Sequence, residues 1–251
     1  MSLNRIIPLL LLDKKKLVKT KNFLDPRYVG DPKNTIKIFN EMNCSEIFII
    51  DIGLSKRNEK INLSFLEKIV SEAFMPVSYG GGIKNLNNIN DLIKIGCEKI
   101  SINHSSNNTY FIREAINEFG SSTIIVSIDI VRMNDNLMCY DYFSDKISNI
   151  TLQEKLKIFN DLNVGEYLIN FKDLDGTMVG YDKENISKIL KMTSSQITFC
   201  GGASSYEDIL ETLKLGAKSL AAGSLFVYQS LNSGVLINYP EGKEFEEMLY
   251  I

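Results

Sequence analysis

The sequence predicts an α/β fold in which eight parallel strands close into a (β/α)₈ barrel, the TIM barrel. Its 251 residues are close to the ~250 typical of such barrels. Short apolar runs alternate with amphipathic helical stretches, and the second half of the chain repeats features of the first. An open, doubly wound parallel sheet is the alternative that the same alternation allows.

Eight short runs rich in β-branched and apolar residues are the predicted strands. Most are apolar throughout, as expected of parallel strands buried on both faces. They span residues 6–12, 46–52, 77–79, 99–103, 123–130, 167–171, 196–200 and 219–222. Helical patterns lie between them at 32–43, 63–74, 86–95, 111–119, 152–162, 183–192 and 206–215. This order predicts βαβ crossovers and therefore a parallel sheet.

An internal repeat supports closure of the sheet. Gly81-Gly82 after the third predicted strand recurs as Gly201-Gly202 after the seventh, and residues 92–96 resemble residues 212–216. Both matches have an offset of 120 positions. Two half-barrels, about 1–120 and 121–251, explain this offset, and no linker separates them. We therefore expect a single domain over 1–251 with a two-fold half-barrel repeat.

Composition excludes several classes of function. Apolar residues make up 44% of the chain and charged residues 24%, with a net charge of −3, so we expect a large core and neither a nucleic-acid nor a membrane partner. The apolar run 6–12 is too short for a signal peptide, which predicts a cytoplasmic protein. Four widely spaced cysteines predict buried thiols, with no disulfide, metal or cofactor. They are Cys44, Cys97, Cys139 and Cys200.

The longest irregular stretch, 131–150, follows the fifth predicted strand. Asn134-Asp135-Asn136 lies between apolar and aromatic runs, which indicates a hairpin. Loops after barrel strands face the active site. A lid over the substrate and a plain surface hairpin are both compatible with this pattern.

Glycines at strand ends predict phosphate binding. Gly80-Gly81-Gly82 and Gly201-Gly202 each follow a strand and precede a helix, where backbone N–H groups can approach an anion closely. Barrels often place a phosphate site after strands seven and eight, which here points to Gly201, Gly202, Gly223 and Ser224. The repeat predicts a second site at Gly81, Gly82 and Asn103. Tight turns that need positive φ are the structural alternative.

Carboxylates at strand ends are candidates for general acid or base catalysis. Asp129 follows a largely apolar strand, where a buried charge is costly unless it has a partner or a role. Asp51 ends the second predicted strand, and Asp173 and Asp175 follow the sixth. Asp175-Gly176-Thr177 is equally compatible with a simple turn.

Nearly the whole chain, from Arg5 to Phe226, resembles the cyclase subunit of imidazole glycerol phosphate synthase. The related isomerase of histidine biosynthesis shares the half-barrel symmetry, but the strand that contains Lys99 and the segment from Asp175 to Asp182 favour the cyclase. The matching stretches are Arg5-Ile6-Ile7, Val18-Lys19, Asn22-Phe23, Gly30-Asp31-Pro32, Asp51-Ile52, Gly80-Gly81-Gly82-Ile83, Lys99-Ile100-Ser101-Ile102-Asn103, Ile128-Asp129, Asp175-Gly176-Thr177, Gly180-Tyr181-Asp182 and Gly201-Gly202-Ala203.

The resemblance implies a substrate and a partner. Cyclases of this family bind a linear aminoimidazole-carboxamide ribonucleotide adduct with two terminal phosphates. Ammonia reaches the adduct through the barrel from a glutaminase subunit, which forms a heterodimer with the N-terminal face of the barrel. The resemblance also implies an ammonia gate at that face, formed by Arg5, Glu46, Lys99 and Glu166. An ordinary ion-pair cluster is the alternative interpretation of these four residues.

One position departs from the family pattern. The resemblance implies two catalytic aspartates, and Asp129 matches the second of them. The first aligns with Leu11, which cannot transfer a proton. General acid–base catalysis typically contributes 10²–10⁴-fold, so we expect the family's cyclisation to be impaired. Asp13 could replace the missing group only if the strand end shifted by ~6–7 Å.

Three functions follow from these observations. We favour a divergent paralogue that keeps the glutaminase and the ammonia path but serves another amidation, such as acetamidino formation on surface sugars. A genuine cyclase of histidine biosynthesis is the alternative, and a phosphosugar isomerase is the third. His104, the single histidine, follows Asn103. It either contacts a phosphate or lies in a loop at the solvent edge.

Overall fold

The computed structural model describes residues 3–228 and 234–251. The strands within these residues form one sheet. They are β1 (Arg5–Asp13), β2 (Lys16–Lys21), β3 (Leu24–Gly30), β4 (Ile47–Asp51), β5 (Val77–Gly80), β6 (Lys99–Ile102), β7 (Ile124–Met133), β8 (Asn136–Asp141), β9 (Lys146–Thr151), β10 (Glu166–Phe171), β11 (Gln196–Cys200) and β12 (Ser219–Ala222).

Eight of these strands close a parallel barrel. Their order is β10-β11-β12-β1-β4-β5-β6-β7, and β7 pairs with β10 to complete the ring. Each of the eight coincides with a predicted strand to within three residues at either end. The predicted (β/α)₈ barrel is therefore confirmed, and the open doubly wound sheet is excluded because the sheet has no free edge within the barrel.

Helices follow the barrel strands, as the alternation predicts. They are α1 (Pro32–Glu41), α2 (Leu54–Arg57), α3 (Leu63–Val70), α4 (Leu86–Lys94), α5 (Thr109–Phe119), α6 (Leu152–Asn160), α7 (Lys183–Ile189), α8 (Tyr206–Lys214), α9 (Ser224–Val227) and α10 (Gly242–Tyr250). Several end earlier than predicted. Helix α1 stops at Glu41 because Asn43 adopts a left-handed φ of 52°, which the helix cannot continue through.

The core has two layers, and β1 contributes to both. Its alternate residues Ile6, Leu10 and Leu12 pack outwards against the helices. Ile7, Leu9 and Leu11 belong to a separate cluster that fills the barrel lumen. This alternation is the pattern of a strand buried on both faces. The other buried members of the lumen cluster are Phe48, Ile125, Leu168, Cys200 and Ala221.

Two antiparallel extensions rise from the carboxyl ends of the barrel strands. Strands β2 and β3 continue from β1, whereas β8 and β9 continue from β7. The predicted hairpin is confirmed, since Met133 pairs with Asn136 across Asn134-Asp135. The fifth barrel strand was predicted to stop at residue 130, but β7 continues to Met133 because β8 pairs with it. Asp129 consequently lies within the strand.

The C-terminal helix α10 packs at the opposite, N-terminal end of the barrel. Asn4 donates from its backbone N–H to the carbonyl of Leu249 (3.1 Å) and from its side-chain amide to that of Met248 (2.8 Å). The hydroxyl of Tyr239 donates to the carbonyl of Ile6 (2.8 Å). The four cysteines are free and buried, as predicted. No helix in the described parts of the chain is long and apolar enough to cross a membrane.

Candidate active site at the barrel mouth

The carboxyl ends of the barrel strands surround a cavity of about 120 Å³. Loops and strand ends from both halves of the chain contribute to its walls. The cavity brings together eight residues that the sequence singles out as site candidates. They are Leu11, Asp51, Gly80, Gly81, Asn103, His104, Asp129 and Asp175.

Asp129 is the carboxylate at the floor of this cavity. It is 6% exposed, and burial raises its pKa to about 6 even though two amides donate to it. Asn103 donates to Oδ2 (2.8 Å) and Asn170 to Oδ1 (3.3 Å). A carboxyl group with a pKa near 6 can take up and release a proton close to neutral pH, which is the requirement for a general acid or base.

Leu11 also lines the cavity, but it makes an apolar wall. It pairs with Ile50 of β4 and Val18 of β2 and is 8% exposed. Leu9, Ile50 and Leu168 line the same cavity. Strand β1 therefore contributes hydrocarbon to the mouth, whereas Asp129 and its two amide partners lie on β7, at the end of β6 and on β10.

Two other carboxylates, Asp13 and Asp51, lie near the mouth. Asp13 accepts from Nη1 of Arg57 (2.6 Å) and is absent from the cavity lining. Asp51 lines the cavity, and burial raises its pKa to about 6. Its Oδ1 accepts from the backbone N–H of Gly53 (3.3 Å), which ties it to the loop that begins α2. Asp51 is thus a titratable group at the rim.

The two predicted phosphate loops adopt similar backbone conformations. Gly81 and Gly82 have φ values of 112° and 70°, and Gly201 and Gly202 both have 99°. A Cβ atom on Gly81 would lie 2.2 Å from the carbonyl oxygen of Asp51. Glycine is therefore required at Gly81, and both loops have the positive-φ backbone that anion cradles often use. The tight-turn interpretation describes the same geometry, so conformation alone does not decide between them.

The second loop lines a small cavity of its own. Gly201, Gly202, Gly223 and Ser224 share it with Asp175 and Gly176, as the predicted site requires. Lys19 lies in the same cavity and is 5% exposed. Its ammonium contacts Oδ1 of Asp175 at 2.9 Å, and the hydroxyl of Thr20 donates to the same carboxylate. A cation is thus held next to glycine N–H groups at this end of the mouth.

His104 lies at the rim, where its side chain is 45% exposed. Nδ1 is 3.1 Å from Oδ1 of Asp141, and the imidazole stacks on Phe143 with 4.6 Å between ring centroids. Tyr142 and Phe143, at the end of the hairpin formed by β8 and β9, line the mouth cavity. This position is compatible with both interpretations of His104, a contact with a phosphate and a loop at the solvent edge. The end of the hairpin lies over the mouth cavity, as a lid would.

The four predicted gate residues meet at the N-terminal end of the barrel. Arg5 donates to Glu46 (2.6 Å) and to Glu166 (2.8 Å), and Lys99 contacts Glu166 at 2.6 Å. Burial opposes the charge of Glu166, but Arg5 and Lys99 outweigh it and lower its pKa. The hydroxyl of Thr198 also donates to Glu166 (2.7 Å). This closed ion cluster lies below the apolar lumen. It is compatible with an ammonia gate and equally with an ordinary ion-pair cluster.

Comparison with known proteins identifies the family. A model of the histidine biosynthesis protein family matches residues 5–232. The chain belongs to the histidine biosynthesis protein family. Relatives include a Leptospira borgpetersenii protein provisionally named imidazole glycerol phosphate synthase subunit HisF, 39% identical over 97% of this chain and 98% of its own. The Dictyoglomus turgidum imidazole glycerol phosphate synthase subunit HisF is 33% identical over 88% of this chain and 89% of its own.

Several residues at the mouth of this histidine biosynthesis family member were not predicted from the sequence as site residues. Lys19 was noted as part of a matching stretch but received no role, and Asn170 and Phe23 were not considered as site residues. Asn170 could have been found, because it lies two residues beyond the lumen-facing Leu168 on β10. The contact of Lys19 with Asp175 joins positions 156 residues apart, and no local pattern indicates it.

Proposed function

We propose that this chain is the ammonia-channelling barrel subunit of a glutamine amidotransferase complex that serves an amidation other than imidazole ring closure. Formation of an acetamidino group on a surface sugar, with a separate enzyme handling the sugar, is such a reaction. The position of Leu11 carries the proposal, because hydrocarbon takes the place of the family's first catalytic aspartate, while Asp129 remains and Asp51 is tied at the rim to the loop that begins α2. A cyclisation that needs two proton-transfer groups lacks one of them here.

The anion cradles support a phosphorylated small molecule at the mouth. The loops at Gly81-Gly82 and Gly201-Gly202 line cavities at the mouth, and Lys19 adds a buried cation beside the second loop. A ligand with a phosphate at each end would engage both loops, with Asn103 and His104 beside the first and Ser224 beside the second. Lys19 would exchange part of its contact with Asp175 for the incoming phosphate.

The N-terminal end of the barrel supports the glutaminase heterodimer. Leu3, Phe74 and Leu215 precede β1, β5 and β12, so they lie at the end where Arg5 and Glu166 meet. They are 51%, 89% and 45% exposed. Exposed apolar side chains around a charged centre are typical of a protein interface. Ammonia released there would enter the lumen once the ion cluster of Arg5, Glu46, Lys99 and Glu166 opens.

A genuine cyclase of histidine biosynthesis is the second candidate. It is favoured by the retention of Asp129, of both cradles and of all four gate residues, and by the names of the relatives. A cell that lacked such a cyclase would need added histidine to grow. Under our first proposal, deletion of the gene removes acetamidino groups from surface polysaccharide and leaves growth without histidine intact.

Replacing Leu11 by aspartate tests the central claim. We expect the purified chain, supplied with ammonium, to cyclise the bisphosphate adduct very slowly, and Leu11→Asp to accelerate the reaction by about 10²-fold as the second proton-transfer group returns. Initial rates of product release measure both. Adding Asp129→Asn to the Leu11→Asp variant should remove the gain.

Fast cyclisation by the unaltered chain would refute the proposal in favour of the cyclase. A folded Leu11→Asp variant without any gain would show that the leucine is not what limits this reaction. Circular dichroism and the unfolding midpoint establish that the variant is folded.

A second experiment tests the partner. Phe74→Asp places a charge on an apolar side chain that is 89% exposed at the N-terminal end and should lower the affinity for a co-expressed glutaminase at least tenfold. Val179→Asp is the matched control, because Val179 is 69% exposed but follows β10 at the mouth. Titration by surface plasmon resonance gives both affinities. Equal losses in the two variants, or no binding by the unaltered chain, would contradict the assignment.

A further inference from the structure

A second cleft of about 250 Å³ lies beside the mouth, on the far side of His104. The start of α5, the hairpin strands β8 and β9, and α6 form its walls. Asn103 and His104 separate it from the mouth cavity, because both residues line the two. Further lining residues are Ser106, Asn107, Thr109, Asp141, Ser148 and Lys155. We call this space the side cleft.

Lys155 supplies the positive charge of the side cleft. Its Nζ donates to Oδ1 of Asn107 (3.1 Å). Within residues 3–228 and 234–251, no carboxylate lies within salt-bridge distance of this ammonium, whereas Lys183 and Lys188 both have acidic partners. An ammonium group that is half-buried and lacks a counter-ion favours an anionic ligand.

Hydrogen-bond donors surround the same space. Ser106 is completely buried, and its hydroxyl has no hydrogen-bond partner. A buried hydroxyl without a partner is destabilising, and a ligand oxygen could accept from it. Thr109 is the first residue of the 11-residue helix α5, whose cap Asn108 accepts from Phe111 with its side chain and from Ile112 with its carbonyl. The remaining N–H groups of this first turn are free to donate, and the helix dipole favours an anion there.

The acidic group at the side cleft is already compensated. Asp141 lies 3.1 Å from Nδ1 of His104 and accepts from the backbone N–H of Phe143 (3.0 Å) and from the hydroxyl of Ser144 (2.7 Å). The hydroxyl of Tyr140 is likewise engaged with Asp145. The carboxylate therefore forms part of one wall, and among the described residues it makes no salt bridge with Lys155.

We propose that the side cleft is a third anion-binding site, distinct from the two glycine cradles, which holds the phosphate group of a small molecule. A tetrahedral phosphate can accept from several donors at once, and Lys155, Ser106 and Thr109 line the same cleft. Since one water occupies ≈30 Å³ of liquid, about 250 Å³ leaves room for an organic part beyond the phosphate. The proposal holds whether or not the amidotransferase function is correct.

Backbone amide resonances of the purified chain, titrated with inorganic phosphate, test the proposal. We expect the amides of residues 107–110 to shift and saturate. Lys155→Met should weaken this binding at least tenfold while the amides of Gly81 and Gly82 respond as before. Lys157→Met is the matched control, because Lys157 is exposed on the same helix and does not line the side cleft.

Absence of saturable shifts at residues 107–110 would overturn the proposal, and so would equal weakening in the two variants. The same titration with glycerol 3-phosphate distinguishes the two sources of a phosphate group. Tighter binding than inorganic phosphate, lost in Lys155→Met, identifies a phosphorylated small molecule, and equal binding identifies free phosphate. Unfolding midpoints of both variants establish that the comparison is between folded proteins.

Discussion

Glu166→Gln is expected to lower the free energy of unfolding by about 3 kcal/mol at neutral pH, because removing one partner of a buried ion pair leaves the others uncompensated. Glu166 is 2% exposed and contacts both Arg5 and Lys99. Without the charge of Glu166, Arg5 still forms a salt bridge with Glu46, but Lys99 has no carboxylate partner among the described residues. Urea unfolding followed by circular dichroism measures the change.

The pH dependence of this loss follows from the sign of the pKa shift. Burial raises the pKa of Glu166, but Arg5 and Lys99 outweigh burial and lower it below its ordinary value. The stabilisation is therefore present above the ordinary pKa of glutamate and is lost as the pH falls through the lowered value. The difference between the variant and the unaltered chain should shrink in acid. Glu98→Gln, at an exposed neighbouring position, should cost less than about 0.5 kcal/mol.

Asp129→Asn is expected to raise the free energy of unfolding at neutral pH, in contrast to Glu166→Gln, and to abolish proton transfer by this side chain. Burial raises the pKa of Asp129 to about 6, so its contribution to stability is complete below the ordinary pKa and is lost as the pH rises through about 6. The difference of about two units between the ordinary pKa of aspartate and that of Asp129 corresponds to about 3 kcal/mol in the free energy of unfolding. Asparagine mimics the protonated acid, and the free Oδ1 of Asn170 can accept from its amide.

The measurements are urea unfolding at two pH values and the initial rate at which the bisphosphate adduct is cyclised. Asp129→Asn should be more stable than the unaltered chain by up to about 3 kcal/mol near pH 8 and equally stable near pH 4. In the Leu11→Asp background it should lower the rate of adduct cyclisation by about 10²-fold. Asp135→Asn, in the exposed turn of the hairpin, should change neither quantity. A variant that is destabilised equally at both pH values would mean that Asp129 is not strained by burial.

The barrel was predictable because its signal is local. The apolar runs of β1 and β7 and the glycines that follow β5 and β11 can be read without knowing which strands pair. Strands β2 and β3 were missed because five of the seven residues of β3 are exposed and show no apolar alternation. Helix α10 was missed as well, since it lies beyond the last repeated βα unit.

The candidate site was only partly predictable, because its decisive contacts join distant segments. Asp129 and Leu11 were found from their positions at strand ends and from the family resemblance. The contact of Lys19 with Asp175 and the stacking of His104 on Phe143 depend on how two loops fold over the mouth. Such pairings are set by the tertiary structure, and a single sequence carries no periodic pattern for them.

The end of the hairpin formed by β8 and β9 is tied to the rest of the mouth by aromatic contacts from separate loops. Phe23 packs on Tyr142 and Tyr140, Lys56 lies 4.0 Å from the ring centroid of Tyr142, and His104 stacks on Phe143. Each contact is worth roughly 0.5–1.5 kcal/mol, so uncovering the cavity means breaking several at once. Exchange with bulk solvent would then be infrequent, and a reactive nucleophile held inside would have time to combine with its acceptor before water could compete.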